Sequence, residues 1–402
     1  MPLPCSYRTV VFTEIPSPYN ILMILYILKA SPHTKLAIVL RCRAVDLSVS
    51  RDRDSFAPLY DILSLQELAF PDSTDQSRWI RQVPKESRHE FLIQDSDTSD
   101  PEVQRDSFLY MKLSVLRIVR LLEDCGCKHS CYTLFWDEES LLRPMHPHMR
   151  HAAHPHDFKY GFSSDEMLQY EESLTSSGQV LRAKLRAVCL RYIQRQIAEL
   201  QLSPNDLLHS FSDLLRANKD IENVDLVVGG PFTEALKYLR YTATPKSIVA
   251  TGERLGLSAD ADSAEAFLKL AQRGPQNFKL IAPEFGLART SSCPFQFNLE
   301  RHALGKHTSL YRSLQEYTAE MQRAGKLCHG AINLITAVAA LGPHLLQWKT
   351  ARVQLKQDRK TGDVKLIESL SLPWRKPNIE IAILEDEATQ NSLVAKLCQT
   401  VC

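Results

Sequence analysis

Short apolar runs alternate with longer stretches of helical spacing along most of the chain. Residues 9–13 are mostly β-branched, 15–18 carry two prolines, 19–30 are nearly all apolar, and 35–40 form a second apolar run. This pattern predicts a βαβ unit whose crossover helix is apolar all round and therefore buried. Leu109, Leu113, Leu116, Val119 and Leu122 mark an amphipathic helix at 108–123, followed by a strand at 132–136. Helices are expected at 178–202 and at 205–217, the latter entered through Ser203-Pro204-Asn205 with its capping chemistry. A buried strand at 224–228 ends in Gly229-Gly230-Pro231 before a helix at 232–239. Further strands at 247–251, 279–282 and 379–383, and helices at 263–272, 311–324, 331–341 and 387–397, continue the alternation. Residues 353–355 and 364–370 read as a hairpin around 358–362.

Alternating apolar strands and helices predict an α/β fold, an open, mainly parallel sheet flanked by helices. A single large domain over 1–402 is expected, with no internal repeats. The polar, irregular stretches 50–106 and 140–178 are expected to be loop insertions.

Composition narrows the function classes. With 44% apolar and 24% charged residues and a formal net charge of +1, the chain has no general attraction for nucleic acid or a membrane surface. The apolar stretch 21–30 falls short of the roughly 20 residues needed to span a bilayer, and residues 1–8 lack the parts of a secretory signal. A cytoplasmic protein is expected. Its 10 scattered cysteines then read as reduced thiols. Only 14 glycines in 402 residues, half the usual ~7%, weigh against a glycine-cradled nucleotide.

Three motifs invite stronger readings than they carry. His146, His148, His151, His154 and His156 offer nitrogen ligands to zinc, but proline-broken spacing makes no preformed site, and a solvated loop is the plainer reading. Cys125, Cys127 and Cys131 suggest a metal knuckle but have no second cysteine pair at the needed spacing. Gly229-Gly230-Pro231 joins a strand to a helix N-terminus, yet lacks the Lys-Ser/Thr pair of a phosphate loop, so a tight turn is expected.

Four segments, in order, are similar to motifs of the inosine-uridine-preferring nucleoside hydrolases, a resemblance that covers nearly the whole chain. Thr13-Glu14-Ile15-Pro16-Ser17-Pro18-Tyr19-Asn20-Ile21-Leu22 stands where that family has a strand ending in aspartates, a Pro-Gly turn and two aspartates opening an apolar helix. Val227-Val228-Gly229-Gly230-Pro231-Phe232-Thr233-Glu234 resembles the family's mid-chain strand and Gly-Pro-Leu-Thr-Asn helix start. Ala261-Asp262-Ser263-Ala264-Glu265-Ala266, through Pro275-Gln276-Asn277-Phe278-Lys279-Leu280, resembles its Asp-Pro-Glu-Ala-Ala helix and following strand. His329 before a small-residue helix, then a hairpin and Pro377-Asn378-Ile379-Glu380-Ile381-Ala382, resembles its C-terminal end.

The resemblance implies calcium-assisted hydrolysis of the N-glycosidic bond of ribonucleosides, with an aspartate activating water and a histidine protonating the leaving base. It also implies a homo-oligomer and a small nucleoside-like ligand. Here the metal-site positions fall on Thr13, Ile15, Tyr19, Asn20 and Gly330, none acidic, and on Gly229, whose match acts through its backbone carbonyl. A dication wants 6 to 8 oxygens, mostly carboxylate. No metal site and no cofactor are therefore expected. The sugar-gripping loop is also reduced, to 253–261. His329 and Glu14 remain as candidate catalytic groups, and Tyr19, Asn20 and Asn333 as candidate substrate contacts. The ancestral reaction is expected to be impaired or altered. The alternatives are a non-catalytic binding or scaffold protein, and a divergent metal-independent enzyme acting on a nucleoside-like or specialised metabolite.

Overall fold

The computed structural model describes residues 7–14, 18–41, 101–137, 178–203, 207–230, 232–252, 257, 261–274, 277–282, 330–357, 364–368, 379–383, 393, 396 and 400. The chain divides into two compact units. The first holds Met1–Arg41, Leu121–Asp137 and His209–Cys402; the second holds Cys42–Arg120 and Glu138–Leu208, the ranges that contain both expected insertions.

In the first unit, β1 (Thr9–Glu14) and β2 (Leu36–Arg41) are joined by helix α1 (Pro18–Ala30) and lie parallel, from Thr9 opposite Leu36 to Glu14 opposite Arg41. Helix α2 (Pro101–Asp124) precedes β3 (Tyr132–Trp136), and helix α3 (Gly178–Glu199) precedes the two-residue β4 (His209–Ser210). Then come α4 (Phe211–Asn218), β5 (Asp225–Val228), α5 (Phe232–Tyr241), β6 (Ser247–Thr251), α6 (Ala261–Ala271), β7 (Asn277–Ile281), α7 (Gly330–Leu341), β8 (Gln347–Ala351), β9 (Val353–Gln357), β10 (Val364–Glu368) and β11 (Ile379–Ile383). The nine-stranded sheet runs β4-β3-β2-β1-β5-β6-β7-β11-β8, parallel except for β8, while β9 and β10 form a separate antiparallel pair. The open, mainly parallel α/β sheet read from the sequence is the fold.

The strands are apolar on both faces because helices cover both. One face presents Val10, Phe12, Ala37, Val39 and Phe135 to Phe211 and Leu214 of α4, to Phe232, Ala235 and Tyr238 of α5, and to Phe267 of α6. Phe12 meets Tyr238 edge-on at 5.7 Å, a geometry that suits the aromatic quadrupole. Asn218 ties this layer to the first strand: its Nδ2 donates to the Tyr7 carbonyl and its Oδ1 accepts from the Tyr7 amide. Helices α1 and α7 pack on each other, and α7 also meets β5 and β6.

In the second unit Arg186 of α3 binds two carboxylates of α2, Glu102 at 2.6 Å and the fully buried Asp106 at 2.5 Å. No described helix is long and apolar enough to cross a membrane.

Several element boundaries differ from expectation. Helix α2 begins at Pro101, inside the stretch 50–106 read as loop, because proline is well suited to a first helical position. The helix expected from 205 begins at Phe211, since His209 and Ser210 pair with Phe135 and Trp136 instead. Strand β8 reads Gln-Trp-Lys-Thr-Ala and shows no apolar run, so it was not expected. The expected helix 311–324 lies outside the described residues.

Candidate functional site

Strand β1 has β2 on one side and β5 on the other. The chain leaves β1 toward β2, β3 and β4, and later returns to β5 to build the other half. The strand order therefore reverses between β1 and β5, and in open α/β sheets ligands bind outside the carboxyl ends of the strands at such a point. The residues there are Thr13 and Glu14 from β1, and Gly229 and Gly230 after β5.

Backbone packing holds this corner tightly. The Gly229 amide donates to the Phe12 carbonyl at 2.8 Å and extends the β1–β5 ladder by one rung. A Cβ on Gly230 would lie 2.8 Å from the Glu14 nitrogen and 3.0 Å from two Thr13 backbone atoms, so only glycine fits. A Cβ on Gly229 would meet Met23 Sδ at 2.8 Å and Asn333 Cγ at 3.5 Å.

Strand alternation separates the polar groups into two sets. Phe12 belongs to the face covered by α4, α5 and α6, so Glu14 falls on that face and Thr13 on the other. Glu14 sits in register with Arg41, whose Nη1 meets Glu234 Oε2 of α5 at 3.1 Å; the side chains of this pair are 6% and 2% exposed. One helical turn on, Lys237 meets Asp137, which follows β3.

The other set is neutral. Asn20, in the first turn of α1, donates from Nδ2 to the Glu14 backbone carbonyl at 2.5 Å. Asn333, in the first turn of α7, donates from Nδ2 to Asn20 Oδ1 at 2.6 Å. Thr13, Asn20 and Asn333 are all buried, and Thr13 Oγ1 and Asn333 Oδ1 have no hydrogen-bond partner among the described residues. Thus Thr13, Asn20, Asn333 and Gly229, drawn from three separate stretches of sequence, meet at one corner, where Glu14 contributes its carbonyl.

Other candidates stand differently. Gly330 is the first residue of α7, and Tyr19 precedes Asn20 in α1. His329, Ile15 and the histidine-rich loop at 146–156 lie outside the described residues. Among the described residues no group of three or more His, Cys, Asp and Glu side chains could hold a metal ion, Cys125, Cys127 and Cys131 included. Those thiols cluster at the amino end of β3: burial first, then the neighbouring Cys127 and Asp124, push the Cys125 thiol up to about 12, against the opposing pull of Lys29.

Arg41, Glu234, Lys237 and Asp137 are additions the sequence did not reveal. Arg41 and Asp137 stand at strand ends and Glu234 and Lys237 on a short helix, places where a charge ordinarily reads as solvated. Only the register of β1, β2 and β3 beneath α5 brings them together.

No protein-family model matches the chain, and no curated protein matches it. Solved structures similar to it include a plant nucleoside hydrolase (10% identity, 97% of this chain and 99% of that one, TM-score 0.45). An inosine-uridine preferring nucleoside hydrolase from Bacillus anthracis is 10% identical over 98% of this chain and 99% of its own, with a TM-score of 0.46. An inosine-guanosine nucleoside hydrolase is 13% identical over 97% and 99%, with a TM-score of 0.45. The functional reading therefore rests on the chain's own residues.

Proposed function

We propose that this chain is a nucleoside hydrolase-like protein in which metal-assisted cleavage of the ribose-to-base bond has been lost, and that it serves as a binding or scaffold protein built on that fold. The observation that carries the reading is the hydrogen-bonded run from the Glu14 carbonyl through Asn20 to Asn333. It lies where the four-motif resemblance would put a calcium ion.

The residues present do not suit that ion. A hard dication is held by 6 to 8 oxygens, largely carboxylate. Here Asn20 turns its NH₂ toward the Glu14 carbonyl and commits its oxygen to Asn333. Among the described side chains here, Thr13 Oγ1 and Asn333 Oδ1 are the buried oxygens without a partner, both neutral. Without the cation, no described residue at this corner supplies the charge that lowers the pKa of an attacking water, and Glu14 falls on the opposite face of the strand, in register with Arg41. Oligomeric state and cytoplasmic location stay with the resemblance and the composition.

One observation favours a second reading, a divergent enzyme that works without metal: two buried oxygens at this corner await partners, as they would in a site that still receives a ligand. Incubating the purified chain with inosine, uridine and a p-nitrophenyl riboside, with calcium and with chelator, separates the readings. No turnover above background is expected under either condition. Turnover that needs calcium and stops with chelator would overturn the proposal; turnover indifferent to chelator would favour the second reading.

A further inference from the structure

The antiparallel pair of β9 and β10 has two unlike faces. Val353, Leu355, Val364 and Leu366 turn inward and join the core that includes Phe267 of α6. Strand alternation sends Gln354, Lys356, Lys365 and Ile367 to the other face, where both lysines are exposed and Ile367 is half-buried.

The register sets like charges against each other on that outer face. Lys356 stands directly opposite Lys365, and Gln354 opposite Ile367. Directly opposite side chains have Cβ atoms roughly 5 Å apart, close enough for two positive charges to weaken the pair. Among the described residues neither lysine has a hydrogen-bond or ion-pair partner. Glu368, the one carboxylate in these two strands, alternates with the outer residues and binds Lys349 of β8 at 2.8 Å. Lysine on a sheet edge ordinarily keeps other strands away. A Lys–Glu rung would do that as well and would stabilise the ribbon, so the doubled positive charge points to a negative partner.

The two edges of the ribbon differ as well. Gln272, just after α6, donates from Nε2 to the Val353 carbonyl at 3.1 Å and holds that helix along β9. No described strand pairs with the other edge of β10, along which backbone N–H and C=O groups alternate. Nucleic acid could meet the lysines but has no amide backbone to pair with that edge. An extended polypeptide meets both. In an added strand alternate side chains share a face, so residues two apart would stand beside Lys365 and Ile367.

We propose that the outer face of the β9–β10 ribbon and the open edge of β10 form a docking surface for an extended acidic segment of another protein. The segment adds as a third strand, with a carboxylate beside Lys365 and an apolar side chain two residues along beside Ile367. The surface uses none of the residues of the amide run, so it stands whether or not the cation has been lost.

Fluorescence anisotropy of the full chain with a labelled peptide of alternating Glu and Val tests it. The comparison probes are the same peptide with every backbone amide N-methylated, a peptide of alternating Lys and Val, and single-stranded oligothymidylate. The Glu–Val peptide is expected to bind about tenfold or more tightly than any of the three, and less tightly as salt is raised. Lys356→Glu puts opposite charges on the rung, so it should leave the melting temperature unchanged or higher while weakening Glu–Val binding about tenfold or more. A misfolded variant could not give that combination. Lys356→Glu together with Lys365→Glu should favour the Lys–Val peptide instead. No binding of the Glu–Val peptide at millimolar concentration, equal binding of its N-methylated form or of the oligonucleotide, or indifference to Lys356→Glu would each overturn the surface. Calcium-dependent nucleoside turnover would overturn the loss of the metal reaction and leave this surface standing.

Discussion

Asn333 donates to the side-chain oxygen of Asn20 at 2.6 Å, joining the first turns of two helices that are 313 residues apart at this contact. The bond depends on Asn20 being an amide. In Asn20→Asp the new carboxylate would oppose the Glu14 carbonyl with no proton between them. We expect a loss of about 1–3 kcal/mol at neutral pH by urea unfolding. Burial would raise the folded pKa of the introduced carboxyl, and once protonated it can donate again, so the deficit should narrow toward acid pH. Added calcium should not restore stability.

Gly230→Ala tests the close approach of β5 to β1. The new methyl would stand 2.8 Å from the Glu14 nitrogen, and backbone cannot swing aside as a side chain can. A loss of about 1–3 kcal/mol is expected from the forced shift. Wild-type stability in the variant would mean that the turn is not packed as described.

The Arg41–Glu234 pair is buried on both sides. Removing one partner, as in Glu234→Leu, takes a buried opposite charge from the other and should cost about 3–5 kcal/mol, while Arg41→Met combined with Glu234→Leu should cost much less. A double-mutant cycle measures the difference. Additive losses would show that the two charges are not coupled.

Alkaline pH should weaken the fold before it ionises the buried groups. Burial pushes the Cys125 thiol up to about 12, and burial, opposed by hydrogen bonds from Asn218 and Thr242, pushes the Tyr238 phenol up to about 12. Their unfolded values are near 8.5 and 10. Above those values the unfolded chain binds fewer protons than the native one, so stability, fully present below about 8.5, falls as pH rises toward 12. Urea midpoints at pH 8, 9.5 and 11 check this, and alkylation of Cys125 at pH 8 should be far slower than that of a free thiol.

The sheet was legible because its strands are short, β-branched runs, and because a buried crossover helix such as 19–30 has few other readings. Strand β8 was hidden: it lies at the sheet edge and mixes Trp348 with Lys349 and Thr350. The site was legible only as a set of substitutions. That Asn20 stands where the resembled motif has an aspartate could be read from the sequence. That Asn20 would find Asn333 could not, because no local pattern links residues so far apart. The Arg41–Glu234 pair was hidden for the same reason.

Isothermal titration of calcium into the metal-stripped full chain tests the central claim most directly. The neutral amide run predicts no saturable binding at micromolar calcium, and no change on Asn20→Ala. One calcium bound per chain at micromolar affinity, and lost on Asn20→Ala, would contradict it.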